Sequence, residues 1–243
     1  MTNGRESPAA AWIADQRKAG DFSRHCVLDA PMLARERGRP FRAALDVGCG
    51  EGRFCRLRRD EGIRATGIDA TPSRLAAAQD CDPGGDYRLA KTEALPFVDA
   101  SFDLAISDLT LVDIEDSTRG IQEMTRVLRP GGALLMAGLN GFNTAGGWMR
   151  GDGPVRRVRL DHDMPPRTER LGRRGIPGRN WPRRPFRDDM QPLPASGLLL
   201  RHFDKPEPHG GDRAPADRFR HAPHFHIMEW EKPAPRATTG EPR

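Results

Sequence analysis

Long apolar runs and paired cysteines are both missing from this 243-residue sequence. No stretch of about 18 apolar residues occurs, so no membrane-spanning helix is predicted. The first eleven residues lack an apolar signal region, which predicts a cytoplasmic protein. The four cysteines form no C-x-x-C pair, so neither a disulfide framework nor a zinc site is expected. His221, His224 and His226 have no acidic or cysteine ligand in their run, so they predict no metal site either.

Net positive charge is absent outside one segment. Residues 151–190 hold eleven arginines, six acidic residues and no lysine, which accounts for the whole formal charge of +5. Such a segment suits nucleic acid or an acidic substrate, or it is a solvated insert. The arginines follow no helical or strand period and few aromatic residues lie among them, which favours the solvated insert.

Apolar spacing predicts the fold class. Residues 7–37 have amphipathic helical spacing, and Arg39-Pro40 separates them from an alternation of strands and helices that is typical of a parallel sheet. The predicted strands are residues 43–48, 64–68, 87–90, 102–107, 133–139, 198–203 and 225–230, and the predicted helices are residues 52–61, 71–79 and 116–128. The sequence therefore predicts a Rossmann-like, doubly wound α/β fold, with a mostly parallel, seven-stranded sheet and helices on both faces.

The regular alternation weakens near residue 140. We expect a helical N-terminal cap over residues 1–38 and one larger domain over residues 39–243. That domain is expected to comprise a ligand-binding half (39–140), an irregular basic insert (141–187), C-terminal strands (197–231) and a disordered tail (232–243). Pro192 and Pro194 should break or shorten the helix expected near residues 188–196, because each interior proline costs about 3 kcal/mol.

A glycine-rich turn, Asp46-Val-Gly48-Cys-Gly50-Glu-Gly52, follows the first predicted strand. Glycine adopts positive φ without strain and lets a ligand approach the backbone closely. The next helix directs free N–H groups and its dipole at the same place. A dinucleotide site of the form G-x-G-x-x-G would need glycine at position 53, where this sequence has Arg53. The turn thus predicts a ligand site that departs from the dinucleotide pattern.

An acidic residue, Asp69, ends the second predicted strand in the sequence Gly67-Ile-Asp69. It follows the glycine turn by about twenty residues, the separation at which a carboxylate binds the two hydroxyl groups of a ribose. A ribose diol supplies two donors, and a carboxylate supplies two acceptor oxygens. The alternative role for Asp69 is that of a helix-capping or surface acid.

Five motifs occur in order over about residues 40–140. They are Leu45-Asp-Val-Gly-Cys-Gly-Glu-Gly52, Gly67-Ile-Asp69, Glu93-Ala-Leu-Pro-Phe97, Ser101-Phe-Asp-Leu104 and Glu123-Met-Thr-Arg-Val-Leu-Arg-Pro-Gly-Gly132. In order and spacing they resemble the class I S-adenosylmethionine-dependent methyltransferases of the small-molecule, ubiquinone/menaquinone-methyltransferase-like type. The resemblance implies S-adenosylmethionine as methyl donor, a small-molecule acceptor and S-adenosylhomocysteine as product, with the methyltransferase domain over residues 39–243.

The resemblance also implies residue roles. The implied cofactor contacts are Gly48, Cys49, Gly50 and Gly52 at the methionine end, Asp69 at the ribose, Ala70, Thr92, Glu93 and Ala94 at the adenine, and Ser107 between the methionine and the substrate. Asp46 would organise the loop through backbone N–H groups, or reach the cofactor's ammonium group through water. Lys91 stands where the family often has an acidic residue, so a side-chain carboxylate on the adenine is not implied.

The acceptor side is less well defined. Methyl transfer from a sulfonium mainly needs alignment of nucleophile, methyl group and sulfur, so no catalytic dyad is required. A base helps only when the acceptor must lose a proton. The candidate bases are His25 and His162, each of which is otherwise an ordinary surface histidine. The candidate substrate-lining residues are Arg24, Asn140, Phe142 and Asn143.

The sequence leaves two alternative functions open. Enzymes that methylate exocyclic base nitrogens carry an Asn/Asp-Pro-Pro-aromatic motif after the fourth strand, where this sequence has Ser107-Asp-Leu-Thr110, which argues against a nucleic-acid methyltransferase. A non-catalytic methyltransferase fold is left open by Lys91 and the C-terminal prolines, although the glycine turn and Asp69 favour cofactor binding. The sequence does not indicate an oligomeric state.

Overall fold

A computed structural model describes residues 9–13, 22–140, 146–148, 158–160, 167–173, 176–221 and 223–235. In chain order its strands are β1 (Ala43–Val47), β2 (Arg64–Asp69), β3 (Asp86–Leu89), β4 (Phe102–Asp108), β5 (Leu128–Leu139), β6 (Gly146–Trp148), β7 (Val158–Leu160), β8 (Arg167–Arg173), β9 (Ile176–Arg183), β10 (Leu199–Asp204) and β11 (Phe225–Glu231). Seven of them form the central sheet, in the order β10-β11-β5-β4-β1-β2-β3.

Helical segments join the strands. They are α1 (residues 9–13), a π-helical segment (Arg24–Leu28), α2 (Asp29–Ala34), α3 (Arg53–Asp60), α4 (Pro72–Cys81), a 3-10 turn (Leu111–Asp113), α5 (Ser117–Val127), α6 (Phe186–Met190), α7 (Pro192–Ala195) and α8 (Arg213–His221). The described part of the chain has no helix with both the length and the apolar character needed to cross a membrane.

Five strands of the central sheet pair in parallel. β1 lies between β2 and β4, β3 pairs with β2, and β5 pairs with β4. β11 runs antiparallel to both of its neighbours, β5 and β10. The predicted Rossmann-like, mostly parallel seven-stranded sheet is therefore confirmed. Because the carboxyl ends of β1, β2 and β4 meet at one edge, the loops that follow these strands lie together there.

The sheet is covered by apolar layers on both faces, because alternate residues of a strand point to opposite sides. Leu134 and Met136 of β5 enter one buried layer, together with Met124 of α5. Leu135 of β5 and Ile106 of β4 enter the opposite layer. This packing accounts for the near-continuous apolar sequence of the central strands.

The C-terminal region has more structure than the sequence suggested. The expected helix break is confirmed, since α6 ends at Met190 and α7 begins at Pro192. Residues 197–231 contain not only the two predicted strands but also α8 between them. The described parts of the insert (141–187) are not irregular as predicted, because β6 pairs antiparallel with β7 and β8 pairs antiparallel with β9.

The predicted disordered tail (232–243) is wrong at its first residue. The Lys232 amine donates to the backbone carbonyls of Thr125 and Leu128, at 2.8 Å from each. The Lys232 backbone N–H also donates to the carbonyl of Gly132 at 2.9 Å. These carbonyls lie where α5 passes into β5, so Lys232 closes that junction. Residues 236–243 lie outside the described part of the chain.

Candidate functional site

The glycine-rich turn between β1 and α3 adopts an unusual backbone. Gly48, Gly50 and Gly52 have φ of +73°, +58° and +76°, values at which a side chain would be strained. The N–H groups of Gly48 and Cys49 both donate to the carbonyl of Ile68 on β2, at 2.8 and 2.9 Å. The turn therefore lies against the end of β2, and its every-second-residue glycine spacing has a direct conformational cause.

Two of these glycines are also closely covered. A Cβ on Gly50 would lie 2.8 Å from the ring of Trp12 in α1. A Cβ on Gly48 would collide with the side chain of Thr110, which follows β4. Substitution of either glycine would therefore meet both backbone strain and a neighbouring side chain.

Asp69 ends β2 and holds the glycine turn in place. Its Oδ2 accepts a hydrogen bond from the Gly50 backbone N–H at 3.1 Å, and its Oδ1 accepts one from the Thr71 N–H at 2.8 Å. The Arg74 guanidinium lies 3.7 Å from Oδ2. The side chain is buried, although it lies on the wall of a cleft. Asp69 thus connects the turn, the start of α4 and the cleft.

The cleft opens at the carboxyl edge of the sheet, beside the glycine turn. It encloses about 580 Å³, including open solvent at its mouth. Five of the predicted cofactor contacts line it: Gly48, Asp69, Ala70, Thr92 and Glu93. The other lining residues are Ile68, Arg74, Ala90, Lys91, Thr110, Asp113, Ile114 and Glu115. The cleft therefore brings together residues of the glycine turn, the end of β2, the segment after β3 and the segment after β4.

Comparison with known proteins shows which family this region of the chain resembles. Residues 45–136 match the model of a methyltransferase domain. A solved S-adenosylmethionine-dependent methyltransferase from Mesorhizobium loti shares 25% identity and a TM-score of 0.66, over 79% of this chain and 90% of that one. Residues 45–136 form a methyltransferase domain with the fold of the class I S-adenosylmethionine-dependent enzymes. The fold is also that of a putative methyltransferase from Listeria monocytogenes, with 19% identity and a TM-score of 0.64 over 79% of this chain and 91% of that one.

Curated relatives of the methyltransferase domain carry malonyl-acyl-carrier-protein O-methyltransferase names. The protein from Enterobacter lignolyticus is 37% identical over 108 residues, which are 44% of this chain and 43% of that protein. The protein from Serratia marcescens is 32% identical over 141 residues, 56% and 55% of the two chains. The chain thus matches about half the length of these relatives. The residues that match the family model include the glycine turn and Asp69.

Four other predicted cofactor contacts of the methyltransferase domain lie behind or beside the cleft wall: Cys49, Gly50, Gly52 and Ala94. Cys49 is buried, and a Cβ on Gly67 would lie 2.8 Å from its sulfur. Burial raises the pKa of the Cys49 thiol well above its usual value, so the thiol stays protonated at neutral pH. Cys49 therefore packs against Gly67 of β2 beneath the glycine turn.

Asp46 lies in the core beneath the glycine turn. The carboxylate accepts a hydrogen bond from the Cys55 thiol at 3.6 Å, instead of binding the backbone N–H groups of the turn. Its pKa is raised to about 7, mainly by burial and also by the nearby Asp108 and Asp69 carboxylates, while the Arg58 guanidinium opposes the rise. Asp46 therefore supports the base of the turn from within the core rather than from the cleft.

The end of β4 makes a second wall. Ser107 is fully buried, and its Oγ has no hydrogen-bond partner among the described residues. Leu109 takes φ of +57°, an uncommon value for a bulky residue. This backbone turns Thr110 back onto Gly48, and the Thr110 hydroxyl lies 3.5 Å from the Gly48 carbonyl oxygen. The strained turn thus closes one side of the glycine loop.

The candidate substrate-lining residues separate into distinct places. Arg24 donates from Nε to the Asp108 carboxylate at 3.0 Å, which links the N-terminal cap to the end of β4. The side-chain amide of Asn140 donates to the carbonyls of Pro223 and Phe225, at 2.7 and 3.1 Å. Asn140 therefore ties β5 to β11 through its side-chain amide. Phe142, Asn143 and His162 lie outside the described residues.

His25 belongs to an ion-pair cluster in the N-terminal cap. Its Nδ1 lies 3.1 Å from an Arg53 guanidinium nitrogen and 3.6 Å from the Asp29 carboxylate. Because a guanidinium only donates, the contact with Arg53 requires the lone pair of Nδ1. His25 thus lies among the charged groups that hold the cap against α3.

Arg53, which occupies the position of the missing third glycine, connects the cap to the start of α3. One guanidinium nitrogen donates to Asp29 at 2.8 Å and the other forms a second contact with the same carboxylate. We expect Arg53→Met to lower the free energy of unfolding by about 1–3 kcal/mol, because it leaves the Asp29 carboxylate with less compensation. Urea denaturation measures this loss.

The control for that substitution is Arg37→Met. Arg37 pairs with Glu61 at the surface, where both side chains are more than a third exposed. This change should alter stability by less than about 0.5 kcal/mol. Equal losses in the two variants would contradict the anchoring role of Arg53.

The C-terminal histidines are aromatic packing residues where the structure describes them. His226 on β11 lies between Phe186 and Phe203, with ring centroids 5.1 and 6.0 Å away. Burial, aided by Lys205, lowers its pKa to about 4, so the ring is neutral at physiological pH. The His224 ring lies 4.4 Å from that of Phe219. The side chain of His221 lies outside the part of the chain that the structure describes.

Proposed function

We propose that the protein transfers a methyl group from S-adenosylmethionine to a small-molecule acceptor. The observation that carries the proposal is the position of Gly48 and Asp69 on one cleft wall, next to Thr92 and Glu93. These residues come from separate motifs. The outermost two, Gly48 and Glu93, are 45 positions apart in the sequence. Their assembly around one cleft is what the family resemblance implies for the cofactor.

The residues present fit this cofactor chemically. Gly48 lies on the cleft wall with a positive φ, which a residue with a side chain would adopt only under strain. Asp69 offers carboxylate oxygens to a ribose diol. The cleft lining includes four acidic and two basic residues. The acidic residues are Asp69, Glu93, Asp113 and Glu115, and the basic residues are Arg74 and Lys91. This acidic balance suits a cofactor that carries a sulfonium and an ammonium group.

The chain's own residues would position and enclose the cofactor. When bound, S-adenosylmethionine supplies a methyl group that is activated by its positively charged sulfur. Asp69 would orient the ribose, and the turn around Gly48 would exclude water from the methionine side. Thr110 and the strained Leu109 turn would hold the wall that faces the acceptor. The names of the relatives make malonyl-acyl-carrier protein the first acceptor to assay.

Isothermal titration with S-adenosylhomocysteine tests the cofactor assignment. The wild-type protein should give a saturable heat with one site per chain. NAD should give none, because Arg53 occupies the position of the third glycine of a dinucleotide turn and pairs with Asp29. Absence of S-adenosylhomocysteine heat would contradict the proposal. Transfer of a labelled methyl group to malonyl-acyl-carrier protein then tests the acceptor.

A further inference from the structure

Arg74 is a buried cation in the cleft whose role the family motifs do not describe. It belongs to α4 and lines the cleft, and its side chain is only 15% exposed. Its Nε is buried and has no hydrogen-bond partner among the described residues. A buried N–H of a guanidinium without a partner is costly, so its placement calls for an acceptor that the ligand can supply.

Two neighbours fix the guanidinium in place. Its central carbon lies 4.6 Å from the centroid of the Trp12 ring, a cation–π contact. The same indole packs over Gly50 of the glycine turn. On the other side, a terminal nitrogen of Arg74 lies 3.7 Å from Asp69 Oδ2, beyond hydrogen-bond distance. Arg74 thus lies between Trp12, which packs over the glycine turn, and the Asp69 carboxylate, which is expected to bind the ribose.

We propose that Arg74 donates a hydrogen bond to a ribose hydroxyl oxygen of the cofactor, and so completes recognition of the diol. The inference rests on the proposed function. Each hydroxyl has one proton to donate and two lone pairs that accept. Asp69 accepts only, so it satisfies the proton and leaves the oxygen lone pairs unused. Arg74 donates only, and its position beside Asp69 supplies the missing half of the interaction.

A second explanation makes Arg74 a charge that merely holds Asp69 in position. The two explanations differ in their dependence on the hydroxyl groups. A direct donor loses its effect when the ligand hydroxyl is removed, whereas a residue that only positions Asp69 affects every ligand that the cleft binds. Analogues of S-adenosylhomocysteine that lack the 2′- or the 3′-hydroxyl therefore separate them.

The test compares Arg74→Met with wild type by titration of S-adenosylhomocysteine and both deoxy analogues. For at least one analogue, the affinity lost on removal of the hydroxyl should shrink by about fivefold or more in Arg74→Met, since the donor is already gone. Arg59→Met is the matched control, because Arg59 pairs with Asp82 outside the cleft. It should keep the wild-type preference for both hydroxyls.

Arg74→Lys keeps the positive charge near Asp69 but lacks a planar guanidinium, so it should fold and still lose the hydroxyl preference. Equal weakening of all three ligands by Arg74→Met, or no weakening, would overturn the role of Arg74 while leaving the cofactor assignment intact. Failure of wild type to bind S-adenosylhomocysteine would overturn both. Thermal unfolding of each variant checks that the comparison is between folded proteins.

Discussion

Replacement of Asp69 by alanine is expected to weaken binding of S-adenosylhomocysteine by about 30-fold, which corresponds to about 2 kcal/mol. A carboxylate that accepts from a ribose hydroxyl makes a charge-assisted hydrogen bond, and alanine removes both acceptor oxygens. The substitution also removes the acceptor for the Gly50 and Thr71 N–H groups. Loosening of the glycine turn therefore adds to the loss at the ribose.

Titration calorimetry measures the affinity, and Asp86→Ala is the control. Asp86 is an exposed carboxylate on the neighbouring strand β3, where it pairs with Arg88. Its removal should leave the affinity unchanged. Asp69→Asn separates the two contributions, because the amide keeps one acceptor oxygen for the turn but has no charge for the ribose. An unchanged affinity in Asp69→Ala would remove Asp69 from the cofactor site.

The sheet could be predicted from the sequence because its determinants are local. The apolar run before Gly48 becomes β1, which ends at Val47, and the strand predicted at 64–68 extends by one residue to Asp69. Only β5 differs appreciably, since it begins at Leu128 and not at Ala133. The segment Arg129–Gly132, which the sequence predicts as a turn, lies inside this strand. The strand register shifts there, since Phe102 pairs with Leu128 but Leu104 pairs with Ala133.

The sequence predicted only those parts of the site whose arrangement is set by a local motif. Thr92 and Glu93 line the cleft as the resemblance implies. The Trp12–Arg74 contact joins segments that are 62 positions apart in sequence (74 − 12), and no local pattern reports it. The contact of Asp46 with the Cys55 thiol of α3 is likewise not given by any local sequence pattern.

The basic segment shows why arginine content alone did not indicate structure. Arg184 is largely buried, and donates to the backbone carbonyls of Leu111 and Ile114 at 2.6 and 2.7 Å. Its Nε donates to Asp189 at 2.9 Å. The arginine therefore ends β9 by fixing the 3-10 turn that borders the cleft. In sequence it stands within a run of similar arginines, and only the carbonyls it meets distinguish it.

Replacement of Glu36 by alanine is expected to lower the free energy of unfolding by about 3–5 kcal/mol at pH 8, because it leaves a buried charge unpaired. Glu36 and Arg58 are 4% and 1% exposed and form a direct ion pair between the cap and α3. The guanidinium also packs over the Phe54 ring, 4.0 Å from its centroid. Two of its nitrogens, Nε and Nη1, have no hydrogen-bond partner among the described residues.

Glu36→Gln separates charge from contact through pH. Burial raises the pKa of Glu36 from 4.5 to about 7, despite the opposing Arg58 charge. A raised pKa means that folding favours the protonated form, so wild type loses the stability due to this group as pH rises from about 4.5 to 7. Glutamine does not titrate and keeps an acceptor for Arg58. Relative to wild type, Glu36→Gln should therefore gain about 2 kcal/mol between pH 5 and pH 8.

Urea denaturation of wild type and both variants at pH 5 and pH 8 measures these differences. The lowered pKa of His226 also makes stability depend on pH, but His226 is common to all three proteins and its effect cancels in the comparison. The raised pKa of Asp46 cancels only in part, because Asp46 and Glu36 repel each other and both lie near Arg58. Glu61→Gln, which changes an exposed carboxylate paired with Arg37, should show no comparable shift. A difference between Glu36→Gln and wild type that stays constant with pH would mean that Glu36 is ionised throughout this range, so that its contribution lies in the ion pair with Arg58 alone.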